Sequence, residues 1–201
     1  AFVTKNSCKL VKFEGGERSN SIPSGATALV LSDKELKSEC ENLSVKKLGM
    51  GDEILENGEK ILALINSFSQ GVRAYNCELG IPQDSVNLSL AKIKDDDSLE
   101  VEFFARSMSK DGLNSMEFEI SELAKALGFE VIAKDRNPAW KPINDKFAND
   151  ILEELKIYKP NARITAVHAG LECGIFDANM DVDITSIGPN IYGAHTPEER
   201  M

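Results

Sequence analysis

The sequence predicts an α+β fold, an antiparallel sheet with helices on one face, followed by a shorter partial α/β segment. Three observations predict it. Short apolar or alternating runs at 8–13, 26–31, 86–90 and 99–106 have the two-residue period of strands. Two segments among them, 52–68 and 114–127, place apolar residues at helical spacing. After Asn137-Pro-Ala-Trp-Lys-Pro142 the pattern changes to a helix followed by short apolar strands with glycine loops at their ends, as in a parallel sheet. The boundary is therefore expected there, with 1–137 as one domain and 138–201 as an incomplete part of another.

The first two strands flank a polar turn, Gly15-Gly-Glu-Arg-Ser-Asn-Ser-Ile-Pro23. Asp33 to Leu43 is charged and weakly helical. Ile54, Ile61, Leu62, Ile65 and Phe68 mark one amphipathic helix, which Gly71 is expected to close. Val86, Leu88 and Leu90 alternate with Asn87 and Ser89. After a turn at Asp95–Ser98, Leu99, Val101, Phe103 and Ala105 alternate with Glu100, Glu102, Phe104 and Arg106. The two runs form a hairpin, with Arg106 on the glutamate side. Asn114 and Glu117 can make a capping box for the next helix, whose buried face is Met116, Ile120, Leu123, Ala124 and Leu127, and Gly128 ends it. Phe129 to Ala133 reads as a strand. Beyond the prolines come a helix at 144–156 and strands at Ile164–Val167 and Asp183–Ile187.

Composition narrows the function. Of 201 residues, 42% are hydrophobic and 28% charged, ordinary values for a globular protein. The net charge is −10, with 12 basic and 16 acidic groups in 1–100 and 11 and 17 in 101–201. No basic stripe exists to track phosphates, so neither nucleic acid nor an anionic membrane is an expected partner. No run approaches the roughly 20 apolar residues that span a bilayer, and the N-terminus has no signal-peptide pattern. Cys8, Cys40, Cys77 and Cys173 form no CxxC pair, which excludes a zinc ribbon and suits a reducing cytoplasm. No GxSxG, HExxH, phosphate-binding or dinucleotide-binding glycine pattern is present.

The residues that could carry chemistry gather late in the chain, in His168-Ala-Gly-Leu-Glu-Cys-Gly174 and at His195. An imidazole beside glycines at a strand tip suits a metal ligand. On spacing alone His168 reads as a core-edge residue bonded to backbone, and His195 stands open between ligand and loop residue. Two histidines and unpatterned cysteines do not by themselves complete a zinc site, which needs three or four ligands, although acidic residues could contribute, so at most a partial site is expected. Arg106 on a polar strand face can clamp a carboxylate, or form an ion pair with Glu100 or Glu102. Asn20 is by residue type a turn former. The C-terminus, Thr196-Pro-Glu-Glu199, has the signature of a helix start, and the chain lacks an initiator Met, so it is expected to be a segment of a longer protein.

Five stretches in order carry a resemblance over nearly the whole chain. They are Gly15–Pro23, Arg106-Ser107, Trp140-Lys-Pro142, His168–Gly174, and Ser186-Ile-Gly-Pro189 with Gly193-Ala-His-Thr-Pro-Glu-Glu199. On these the sequence resembles the C-terminal part of the aminoacyl-histidine dipeptidases, cytosolic zinc peptidases related to carnosinase and aminoacylase. The resemblance implies a lid or dimerisation-type domain for 1–137 and a returning segment of the catalytic domain for 138–201. It implies that His195 ligates one of two Zn2+ ions, that Arg106 and Asn20 hold substrate, and that Gly170 and Glu172 are substrate contacts. It gives His168 no role. The remaining ligands and the catalytic carboxylates lie upstream in that family, so no catalytic residue is expected in this chain, which alone should be inactive. The implied substrate is a small dipeptide of Xaa-His or β-alanyl-histidine type, the implied compartment the cytoplasm, and a homodimer is an open alternative to a monomer. Competing readings are a non-enzymatic α+β interaction module and a related amidohydrolase acting on acylated amino acids.

Overall fold

The computed structural model describes residues 1–139, 146–193 and 198–201. The chain forms two compact units that interleave along the sequence. The first comprises Ala1–Ser69, Asn87–Phe104 and Glu122–Glu130, the second Gln70–Val86, Ala105–Ser121 and Val131–Met201.

In the first unit a short helix, α1 (Phe2–Lys5), leads into β1 (Lys9–Gly15), which pairs antiparallel with β2 (Ala26–Leu31). The register closes at Gly15–Ala26, so the polar turn projects from the hairpin end. Gly16 has φ +79°, and a Cβ there would lie 1.9 Å from the Ser89 carbonyl oxygen; only glycine fits. α2 (Gly58–Ser67) is shorter than the expected 52–68. Asn57 takes the left-handed conformation, and the preceding stretch bonds sideways, Leu55 N–H donating to the Leu10 carbonyl at 2.8 Å. Backbone given to β1 cannot also build a helical turn. Ile61 and Leu64 of α2 are buried, with Leu10 and Phe68, whose ring meets Phe103 edge-on at 4.8 Å.

β4 (Ile81–Ile93) and β5 (Leu99–Ser107) form the expected hairpin. Its turn is held by Asp96, which accepts from the Ser98 amide and hydroxyl. The strand order is β2-β1-β4-β3, with β5 also pairing β4. All the registered pairings are antiparallel. In the second unit β3 (Gly71–Asn76) runs against residues 81–86 of β4. That strand escapes the sequence pattern because Gly71, read as a helix stop, opens it at φ +98°. Val86, Leu88 and Ala91 of β4 are buried, and so are Ser85 and Ser89. The alternation had marked Ser89 as solvent-facing; instead its hydroxyl donates to the Glu102 carbonyl at 3.1 Å.

α3 (Lys110–Ala126) starts four residues before the expected capping box. Ser109 caps it, accepting from the Gly112 amide at 3.0 Å. Met116, Ile120 and Ala124 are buried as expected. The helix ends in a Schellman motif, with Gly128 at φ +86° and Phe129 N–H reaching the Ala124 carbonyl. Phe129–Ala133 is not a strand, since that motif already commits its first amide.

α4 (Lys146–Tyr158) matches the expected helix, and α5 (Glu172–Asn179) is additional. The expected strands at 164–167 and 183–187 do not form, so the expected parallel α/β sheet is not seen among the described residues. A strand needs a neighbouring backbone to complete its ladder, and the described residues offer none there. The weak helix at 33–43 is also not formed. Ser38 donates to the Cys40 and Leu43 carbonyls, the local side-chain bonding that competes with helix.

Candidate functional site

The second unit brings together residues far apart in sequence. Asp84 and Ser85 are neighbours on β4 and so point to opposite faces. Ser107 Oγ donates to Asp84 Oδ1 at 2.5 Å, and the Ser109 amide donates to Ser107 Oγ at 2.9 Å. A Cβ on Gly112 would meet both Ser107 Oγ and Asp84 Oδ1. This face therefore receives the start of α3.

Ser85 and Arg106 belong to the other face. Ser85 Oγ lies 2.7 Å from His168 Nε2, and Arg106 Nη1 donates to the His168 carbonyl at 3.0 Å. The polar face of the hairpin thus holds His168 by its ring and by its main chain. Burial of Arg106 pulls its guanidinium below its usual value, still far into the charged range. Burial, and then the Arg106 charge, pull the His168 imidazole below the ordinary histidine value, while Asp84 and a backbone hydrogen bond to Pro82 act the other way. The ring is therefore neutral near neutral pH.

The residues expected in the site divide as follows. Arg106 is half-buried at the end of β5, on the side the alternation assigned. Gly170 and Glu172 are exposed and follow His168 directly, with nothing within 4 Å of a Cβ on Gly170. Glu172 opens α5, where a carboxylate is favoured by the helix dipole. Asn20 is exposed in the β1–β2 turn, where Ser21 bonds back to Arg18, and belongs to the first unit. His195 lies outside the described residues, as do Trp140, Lys141 and Pro142. Among the described residues, Tyr192 and Arg200 exchange backbone hydrogen bonds at 2.8 and 3.0 Å, and the Arg200 guanidinium covers the Tyr192 ring.

Among the described residues no group of three or more His, Cys, Asp or Glu could hold a metal ion. These described donors do not by themselves form a Zn2+ site. A serine beside an imidazole also resembles a nucleophile and its base. Here Ser85 is 8% exposed, within a strand, which leaves its hydroxyl no room to attack a substrate carbonyl. The arrangement is a half-buried guanidinium bonded to the backbone of a glycine-containing loop. Ser85 was missed from sequence; its signal was a small polar residue between two residues of a strand.

No family model matches the chain. Over 96% of its length it is 26% identical to the cytosol non-specific dipeptidase of Escherichia coli (strain K12), in a 220-residue alignment that covers 45% of that protein. The resemblance to the dipeptidases holds. The fold agrees with the crystal structure of the aminoacylhistidine dipeptidase from Vibrio alginolyticus, with a TM-score of 0.70 and 23% identity over 98% of this chain and 46% of that one. The chain spans less than half the length of either dipeptidase. Among the described residues no helix is long and apolar enough to cross a membrane.

Proposed function

We propose that the chain is the lid and returning segment of a cytosolic metal-dependent dipeptidase, with 1–137 as lid and 138–201 as part of the catalytic domain. The observation that carries this is the similarity to a dipeptidase over 96% of the chain. The hydrogen bond from Arg106 to the His168 carbonyl, two residues before Gly170, supports it. In this reading Arg106 holds the C-terminal carboxylate of a dipeptide, Asn20 adds a polar contact, and Gly170 and Glu172 border the bound substrate. His195 is a Zn2+ ligand whose companions lie in the rest of the longer protein. Zinc, when bound, would polarise the peptide carbonyl and acidify a water. The chain's own residues bind and orient substrate and help exclude water.

The 201-residue chain with added Zn2+ should not hydrolyse a panel of dipeptides that includes β-alanyl-histidine and other Xaa-His pairs. Turnover by the chain alone would overturn the split-site reading. In the longer protein, Arg106→Ala should lower kcat/KM on free dipeptides by about 10- to 100-fold, the worth of a hydrogen bond to a charged group, and by much less on dipeptide amides. Equal losses on both substrates would rule out the carboxylate clamp.

A further inference from the structure

His168 has no role in the proposed function, yet it bonds the segment that leads into α5 to the sheet. Its two anchors come from different strands. Ser85 lies 83 residues away and Arg106 62 residues away in the sequence. Ser85 is buried and its hydroxyl, removed from water, needs a partner. Residues 162–167 have no regular structure, and Gly170 meets no atom within ordinary contact distance of where a Cβ would sit. Side-chain packing therefore does not hold the loop at Gly170.

We infer that His168 is a positioning residue: its ring on Ser85 and its carbonyl on Arg106 dock the 168–171 loop and the start of α5 on the polar face of β4–β5 and fix where Gly170 and Glu172 are presented. The consequence for substrate rests on the proposed function; the docking does not. The groups that bear on the ring are Arg106 from β5, Asp84 and Ser85 from β4, and the Pro82 backbone. A second positive charge beside Arg106 is unfavourable in a partly desolvated place, so the docked loop favours the neutral ring. The folded-state value is depressed, so this stabilisation is complete above the ordinary histidine range of about 6.5 and is lost as pH falls from there through the folded value.

The test is nitrogen-15 relaxation on the 201-residue chain, read at residues 169–173 between pH 8 and pH 5. His168 is distinguished from His195 by assigning the imidazole signals in a His195→Gln variant. Wild type should show backbone order parameters near ~0.85 at pH 8, falling below ~0.6 as His168 titrates, with a midpoint below that of an exposed histidine. His168→Ala and Ser85→Ala should be mobile there at every pH. His168→Gln, whose amide can keep the Ser85 bond without titrating, should stay ordered throughout. An unchanged loop in His168→Ala, or a loss of order spread equally over β4, β5 and α3, would overturn the inference. In the longer protein His168→Gln should keep kcat and lose the acid limb of the kcat/KM profile. If that protein hydrolyses no dipeptide while the loop responds as described, the proposed function fails and the docking stands.

Discussion

β4 and the stretch from 157 to 192 are both rich in apolar side chains, but they meet their surroundings differently. β4 pairs with β3, β1 and β5, and Val86 at its middle is 0% exposed. In the later stretch Tyr158 is 80% exposed and Ile187 62%, with Phe176, Met180 and Ile191 also at the surface. The difference is one of partners. Backbone ladders bring three strands against β4, and near its start Asp84 meets the beginning of α3 while Ser85 meets His168. Residues 164–167 and 183–187 have similar side chains and no neighbouring ladder among the described residues, so Ile164, Val167 and Ile187 stay largely in water. Hydrophobic pattern says which side chains gain by burial; backbone pairing decides whether they achieve it.

The largest expected effect comes from emptying the well-partnered region. Leu10 is 2% exposed, lies against Gly58 at the start of α2, and accepts the Leu55 amide through its carbonyl. Leu10→Ala should cost about 2–4 kcal/mol, the range for a buried leucine whose cavity cannot collapse fully, measured as a lower urea midpoint at unchanged slope. A cost under about 1 kcal/mol would mean that the first unit is loosely packed and that the contrast with the later stretch is smaller than the burial implies. Ser109→Ala is a gentler probe, in the second unit. Loss of the cap on α3 should cost about 1 kcal/mol, and Ser109→Asp should restore most of it. An unchanged midpoint in both variants would show that the α3 start is held by Asp84 and Ser107 without the cap.

The sequence made the first region largely legible and the second hardly at all, for the same reason. The β4–β5 hairpin, the β1–β2 pair and the Gly128 stop follow from local signals: alternation, a polar turn and a left-handed glycine. β3 was hidden because four alternating residues after a glycine are too few to outweigh a helix stop. Ser89 was misassigned because a small hydroxyl can be buried by bonding a neighbouring strand's backbone, here the Glu102 carbonyl. The Arg106 side of β5 was readable from alternation, whereas its partner was not. A carbonyl 62 residues away leaves no trace in spacing, where the local alternatives were ion pairs with Glu100 or Glu102. Glu100 instead lies 3.5 Å from Lys92. The Ser85–His168 bond is longer in range still, and neither residue is unusual where it stands.

The smallest expected effect is the sharpest test of the comparison. Ile187→Ser removes an apolar side chain that is already mostly in water, so in this chain the urea midpoint should move by no more than about 0.5 kcal/mol, as for other surface changes. Solubility should rise slightly, because exposed apolar groups favour association. The same substitution in the longer dipeptidase proposed above should cost about 1.5–3 kcal/mol, the worth of burying an isoleucine, if the rest of the catalytic domain supplies the ladder that 183–187 lacks here. Equal small effects in both proteins would show that this stretch is a surface segment wherever it occurs. A large cost in the 201-residue chain itself would mean that Ile187 is packed in solution, and that the two regions are more alike than their exposures suggest.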